Sequence, residues 1–301
     1  MNEHAMPMPA YDRLHAWELY SSEMKTEKQQ TIEEGKDIHE FEKLFDAIAE
    51  MPRCAEKANP FLAEFLANHA PEGHVDRVFM YNPDAIAHWV YQKYTPMFAG
   101  VARHTQLGLP LQTVMPSVTP VCFATMYSGA YPETHGIRRY EKPVLKIDTL
   151  FDAVLRAGKK CCILGDTQCS MTHIFRERDM DYLAFDTTEE INAKAAELIS
   201  EDKYDLLCVY NGNYDSTMHK TGPESAPSLE ALRQNVQAFD AFAKQIQQQW
   251  RSHRTLLGFA MDHGCHEIDG GCGSHGLDMP EDLNIHHFYG IVNGTEEHAT
   301  K

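Results

Sequence analysis

Six side chains with metal-ligand chemistry stand in short polar clusters, most of them placed just after an apolar run. Asn82-Pro83-Asp84 follows the run 75–81. The stretch Asn211 to His219 follows 204–210 and contains Asp215 and His219. Asp262-His263-Gly264 follows 255–261, and a glycine-rich loop from Asp269 to Gly276 holds His275. Asp84, Asp215, His219, Asp262, His263 and His275 together offer three carboxylates and three imidazoles, a set that suits zinc or a similar first-row ion. That is too many donors for one tetrahedral ion and about right for two neighbouring divalent ions. Asp215 and His219 are four residues apart, so one helical turn aims both at the same ion. Each residue taken singly also has a plainer reading. An aspartate at a strand end is commonly a turn residue or a helix cap, and His275 is one of 17 histidines. Cys265, His266, Cys272 and His275 compete locally as a structural zinc site, but their spacing does not match the paired short hooks of such sites.

A nucleophile is suggested by residues 116–137, PSVTPVCFATMYSGAYPETHGI. The order of residues predicts a helix with Thr119 at the N-cap, Pro120 at the first helical position and Gly129 past the end. On one reading Thr119 only caps that helix. On the other, its hydroxyl sits where a helix N-terminus stabilises negative charge, ionises against a metal and attacks. The N–H groups of the first turn would then help hold a phosphoryl group.

These residues need a frame. Residues 1–74 read as an N-terminal helical extension, with helical spacing at Ile38, Phe41, Leu44, Phe45 and Ile48 and again within 55–70. From residue 75 short apolar runs alternate with amphipathic stretches. Strands are predicted at 75–81, 160–164, 181–185, 204–210, 255–261 and 287–292, and helices at 149–157, 189–200 and 229–250. Strands interleaved with helices of that length make an α/β sheet covered on both faces, with ligands beyond the carboxyl ends of the strands.

Composition narrows the partners. The 301-residue chain carries a formal net charge of −17, which argues against a nucleic-acid polymer as partner. A small phosphorylated substrate stays open, because bound cations invert the local field. No apolar run reaches the roughly 18 to 20 residues of a membrane helix, and no apolar signal core opens the chain. The eight cysteines, several inside apolar runs, read as reduced thiols of a cytoplasmic protein.

The segment PSVTPVCFATMYSGAYPETHGI resembles the nucleophile segment of the type I phosphodiesterase and nucleotide pyrophosphatase family, within the alkaline phosphatase superfamily. The shared features are Thr119, Gly129 ten residues on, and Tyr131-Pro132-Glu133-Thr134-His135-Gly136-Ile137. YDSTMHKTGP resembles the family's Asp-Ser-x-x-His-x-x-Gly-Pro, and Asp262-His263-Gly264 and Gly273-Ser274-His275-Gly276 resemble two further motifs, with Met261 in place of a serine. The resemblance covers 75–292 and implies a catalytic domain over 75–301. Its fold would be an alkaline-phosphatase-like three-layer sandwich, a central mostly parallel sheet with helices on both faces.

It also implies roles. Asp215, His219 and His275 would hold one metal; Asp84, Asp262 and His263, with the Thr119 oxygen, would hold the other. The ions are expected to be zinc, with manganese or iron as substitutes. Two positions depart from the family. Cys122 stands where an asparagine amide commonly holds a phosphoryl oxygen, and Arg138-Arg139 stands where a second asparagine often follows. These three are the candidate substrate contacts, the arginines either as phosphate ligands or as surface charges. The implied chemistry is two displacements: Thr119 attacks phosphorus, and water then cleaves the phospho-threonine. Monoester or phosphonate hydrolysis, a phosphomutase-like reaction, or metal and phosphate binding without turnover remain alternatives.

Overall fold

The structure is a computed structural model that describes residues 60–70 and 74–294. The expected helix spacing around 38–48 lies outside the described residues. Within 55–70 a helix forms at Pro60–His69, and Phe65 and Leu66 pack into the core.

A seven-stranded sheet forms the centre, in the order β2-β9-β6-β1-β5-β3-β4. The strands are β1 Arg77–Pro83, β2 Leu107–Gln112, β3 Cys161–Asp166, β4 Asp181–Phe185, β5 Leu206–Asn211, β6 Thr255–Phe259 and β9 Asn284–Val292. A separate two-stranded hairpin pairs β7 His266–Ile268 with β8 Cys272–Ser274. Strands β4, β3, β5, β1 and β6 run parallel, while β9 is antiparallel to both β6 and β2.

Alternate residues of each central strand feed two cores. Val78, Met80, Ile163, Leu206, Cys208 and Leu256 face the helices Pro60–His69, Thr119–Ser128 and Leu150–Arg156. Phe79, Tyr81, Leu164, Leu207, Val209 and Leu257 face the helices Thr188–Glu201, Asn213–Thr221 and Ala226–Gln249. Burial on both faces is what parallel strands require, so the three-layer expectation holds.

The arrangement brings the chemistry together. β1 lies between β5 and β6, and all three point the same way, with Pro83 level with Asn211 and Tyr81 level with Phe259. The polar segments that follow them therefore leave the sheet side by side. Two strand readings shift. β2 is not among the expected strands, and it contains Gly108 and Pro110, both of which weaken a strand pattern. It is the sheet edge, where a missing N–H is tolerated. β9 begins at Asn284 rather than 287, because polar residues fill buried positions there: His286 stacks on His88 at 5.2 Å, and His287 Nε2 lies 2.7 Å from the Met261 carbonyl. Among the described residues no helix is long and apolar enough to cross a membrane.

Candidate two-metal active site

Two trios of ligand atoms converge beyond the carboxyl ends of β1, β5 and β6. Asp84, Asp262 and His263 form one; Asp215, His219 and His275 form the other; within each, the ligand atoms lie within 4.8 Å of one another. Asp84 follows β1 directly and its N–H donates to the Asn211 carbonyl. Ala85 then adopts a left-handed backbone, φ 63°, a conformation that costs an alanine about 1 kcal/mol. The turn aims the Ala85 N–H at Asp262 Oδ1, 3.3 Å away, which ties two members of the trio together. Gly264 lets the Asp-His-Gly segment close down, since a side chain there would run into the Glu281 carbonyl.

Asp215 and His219 ride the helix Asn213–Thr221, where four-residue spacing puts His219 Nε2 3.2 Å from Asp215 Oδ1. His275 arrives from the glycine-rich loop with Nε2 3.4 Å from the same oxygen. Its ring stacks on that of His263 at 4.0 Å, so the trios share a wall.

The imidazoles bear on what these atoms could hold. His219, His263 and His275 each place Nδ1 2.9 Å from a backbone carbonyl, of Gly273, Gly264 and Ser117 respectively. Nδ1 must carry a proton to donate there, so in the neutral ring the lone pair falls on Nε2. Each Nε2 faces a carboxylate oxygen: His263 is 3.3 Å from both Asp84 Oδ1 and Asp262 Oδ2. Those two oxygens and Asp215 Oδ1 are buried and make no hydrogen bond. Lone pair facing lone pair repels unless a proton or a cation lies between. Backbone-anchored imidazoles and orphaned carboxylate oxygens are the donor set of divalent metal sites, so these residues fit two cations.

Without a cation the trios compensate differently. Burial works against the charge of Asp215, yet His219 and His275 beside it hold its carboxyl below the usual range. Contact with Asp215 in turn pushes His219 up to about 9. Burial likewise opposes charge on His275, but Asp215 raises it overall. In the other trio burial dominates. It lifts Asp84 well above the carboxylate range, with repulsion from Asp262 and Asp215 adding to it. It also lifts Asp262 to about 7 and, helped by the charge of His275, lowers His263 to about 4.

Thr119 does not cap its helix. Val118 occupies the N-cap and Thr119 is the first residue of Thr119–Ser128, which corrects the expected frame by one position. The helix ends as expected at Gly129, φ 68°. The Val118 carbonyl takes the N–H groups of Val121 and Cys122, and Pro120 has none, so the first turn offers fewer free donors than expected. The Thr119 hydroxyl lies 3.4 Å from Asp84 Oδ2 and 3.3 Å from His263 Nε2.

The three candidate substrate contacts differ in their surroundings. Cys122 is fully buried, and burial pushes its thiol up, so it stays a neutral core group. Gly136, φ 85°, ends the short helix Pro132–His135, and Ile137 after it is buried. Arg138 then donates to the Glu133 carbonyl and Arg139 pairs with Glu141 at 3.0 Å, both exposed. His135 is structural: Nε2 is 3.0 Å from Thr125 Oγ1, and Nδ1 accepts from the Ile137 N–H. The structural-zinc alternative also disperses. Cys265 lies near Tyr214, His266 meets Asp282 at 2.7 Å, Cys272 reaches the Lys220 carbonyl and His275 belongs to the second trio.

Two supporting residues had no sequence signal. Tyr210 read as the apolar end of a strand, and its hydroxyl donates to Asp84 Oδ2. Asp282 read as one acid among many. It is buried, takes the Leu277 N–H on Oδ2 and, through its carbonyl, the Gly264 N–H, so it joins the His275 loop to the Asp262-His263 segment.

Comparison with known proteins agrees with the motifs. Residues 81–151, which include Asp84 and Thr119, match the type I phosphodiesterase / nucleotide pyrophosphatase family. No curated protein matches the chain. Among solved structures, murine ectonucleotide pyrophosphatase/phosphodiesterase 5 is similar at 16% identity and TM-score 0.50, over 64% of this chain and 58% of that one. The human protein of the same name is similar at 17% identity and TM-score 0.51, over 64% and 58%. An inactive threonine-to-alanine variant of the murine protein, in complex with AMP, gives 16% identity and TM-score 0.51, over 65% and 59%. This chain thus spans under two thirds of the length of these proteins. At such identity the likeness speaks for the fold, which is that of the ectonucleotide pyrophosphatases, alkaline-phosphatase-like.

Proposed function

From that family relationship we propose that the chain is a phosphoric ester hydrolase of the phosphodiesterase/nucleotide pyrophosphatase type, with Thr119 as nucleophile and two divalent cations as cofactors. One observation carries the reading. The Thr119 hydroxyl, free of any capping role, points between Asp84 and His263. That a threonine-to-alanine variant of the murine relative is inactive supports a threonine in that role.

Asp84, Asp262 and His263 would hold one cation and Asp215, His219 and His275 the other, zinc first, with manganese or iron as substitutes. Bound there, the cations supply positive charge that eases ionisation of the Thr119 hydroxyl and stabilises the leaving oxygen. Thr119 Oγ1 attacks phosphorus as its proton departs toward Asp84 Oδ2, where its hydrogen bond already points. The bond from phosphorus to the leaving oxygen breaks with its electron pair. Water then attacks the phospho-threonine, returns the threonine hydroxyl and releases the product phosphate. The substrate is a small phosphorylated molecule, a diester ahead of a monoester on the strength of the family. Cytoplasmic residence belongs to the same proposal: the seven described cysteines are free thiols, six of them buried.

The test is turnover of bis(4-nitrophenyl) phosphate against 4-nitrophenyl phosphate by the zinc-loaded chain. Thr119→Ala should lower the diester rate at least about 10³-fold with metal content unchanged. Undiminished turnover in that variant would remove Thr119 as nucleophile, and tight AMP binding without turnover would make the chain a binder.

A further inference from the structure

Asp84 uses its two oxygens differently. Oδ1 faces His263 Nε2 at 3.3 Å and has no hydrogen bond, while Oδ2 accepts the Tyr210 hydroxyl and lies 3.4 Å from Thr119 Oγ1. Left alone, a carboxylate at a strand end can rotate and offer either oxygen, or both, to a cation. Tyr210 removes that freedom. It sits on β5, next to β1 in the sheet, and is paired in register with Asn82. Its ring is buried and packed edge-on against Phe123 at 5.8 Å. Gly212 makes room for the hydroxyl: a Cβ there would lie 2.8 Å from Tyr210 Oη. The backbone at Gly212 has φ −94°, which any residue adopts, so the glycine answers to this close approach and not to a turn.

We propose that Tyr210 is a positioning residue which, by holding Asp84 Oδ2, commits Oδ1 to the cation of the Asp84-Asp262-His263 trio and fixes one-oxygen ligation there. The inference rests on the two-cation reading above. Outer hydrogen bonds of this kind typically change metal affinity 10- to 100-fold when removed. Phenylalanine keeps the ring packing and deletes only the hydroxyl.

The experiment measures the two zinc equivalents of the full chain by competition with a chromogenic chelator, and the visible spectrum of the cobalt-substituted protein. Tyr210→Phe should weaken one equivalent roughly 10- to 100-fold, leave the other within about twofold and change the cobalt spectrum. Gly212→Ala, whose Cβ would crowd the hydroxyl at 2.8 Å and the adjoining ring edge at 3.3 Å, should act in the same direction, and it serves as the readout if Tyr210→Phe fails to fold. In an Asp84→Ala background neither change should weaken zinc further. Unchanged affinities in both variants, or a further loss in the Asp84→Ala background, would overturn the proposal. A wild-type chain that binds fewer than two equivalents would instead overturn the two-cation reading.

Discussion

The two trios are built from the same residue types and differ in depth. Asp84, Asp262 and His263 have side-chain exposures of 2%, 0% and 0%, against 18%, 40% and 9% for Asp215, His219 and His275. Depth follows from origin. The inner trio hangs directly from the two central strands β1 and β6, whereas the outer one is carried by a helix and a glycine-rich loop. The outer trio also balances itself: Asp215 and its two histidines share charge at 3.2 and 3.4 Å. The inner trio has two carboxylates and one imidazole in a fully buried place, where charge is costly. It is thus the trio whose structure depends most on a cation, and the one that touches Thr119.

The largest effect expected from this contrast concerns activity and its rescue. Asp262→Asn should cost one metal equivalent and roughly 10³-fold in turnover, since the cation is asked to supply several kcal/mol of charge stabilisation. Added zinc should not restore it. His219→Ala should cost roughly 10- to 100-fold and recover in excess zinc, because two ligands remain and the position is open to solvent. Equal losses with equal rescue would erase the functional difference between the trios. Metal analysis alongside steady-state rates reads both.

Stability of the chelated protein should separate the trios by sign. Folding raises the pKa of Asp84 above its unfolded value, so holding this carboxyl at neutral pH is a burden. Asp84→Asn should therefore stabilise the metal-free protein by about 1–3 kcal/mol. Folding lowers the pKa of Asp215, so its carboxylate contributes stability above its unfolded pKa, lost as pH falls through the folded value. Asp215→Asn should destabilise by about 1–2 kcal/mol. Denaturant melts in chelator at pH 7 measure both. A loss of stability in Asp84→Asn would mean that the inner trio compensates its own charge.

The same contrast governs how much could be read from sequence. The strand ends and the six ligand types were legible because an apolar run followed by Asp or His is a local pattern. Which six meet was not in the residues themselves; it came from family spacing, and the sheet order β5-β1-β6 gives its physical cause. Thr119 was placed one position early because Thr-Pro reads naturally as N-cap and first turn, and only tertiary contacts show Val118 in the cap. For Cys122, Arg138 and Arg139 the sequence could not give the facing, because neighbours in sequence need not face the same way. The arginines are exposed while the helix carries Cys122 inward. Tyr210 and Asp282 left no trace because a supporting hydrogen bond across the sheet or between loops has no sequence period.

The smallest expected effect is the pH response of the outer trio. Asp215 raises His219 to about 9 from an ordinary 6.5. A histidine whose pKa rises on folding contributes stability that is complete below the unfolded value. That stability is lost as pH rises through the folded value. The metal-free protein should therefore lose stability between about pH 6.5 and 9, and His219→Asn should lessen that slope. His219 is 40% exposed, so solvent screens the pair and the contribution should stay under about 1 kcal/mol. In the inner trio His263, held down to about 4, is neutral throughout that window, whereas Asp84 and Asp262, raised by burial, also lose stability as pH rises, a slope that His219→Asn leaves in place. Melts at closely spaced pH values in chelator, for both proteins, test it. A slope unchanged by His219→Asn would place the titrating group elsewhere and leave depth, without charge sharing, as the difference between the trios.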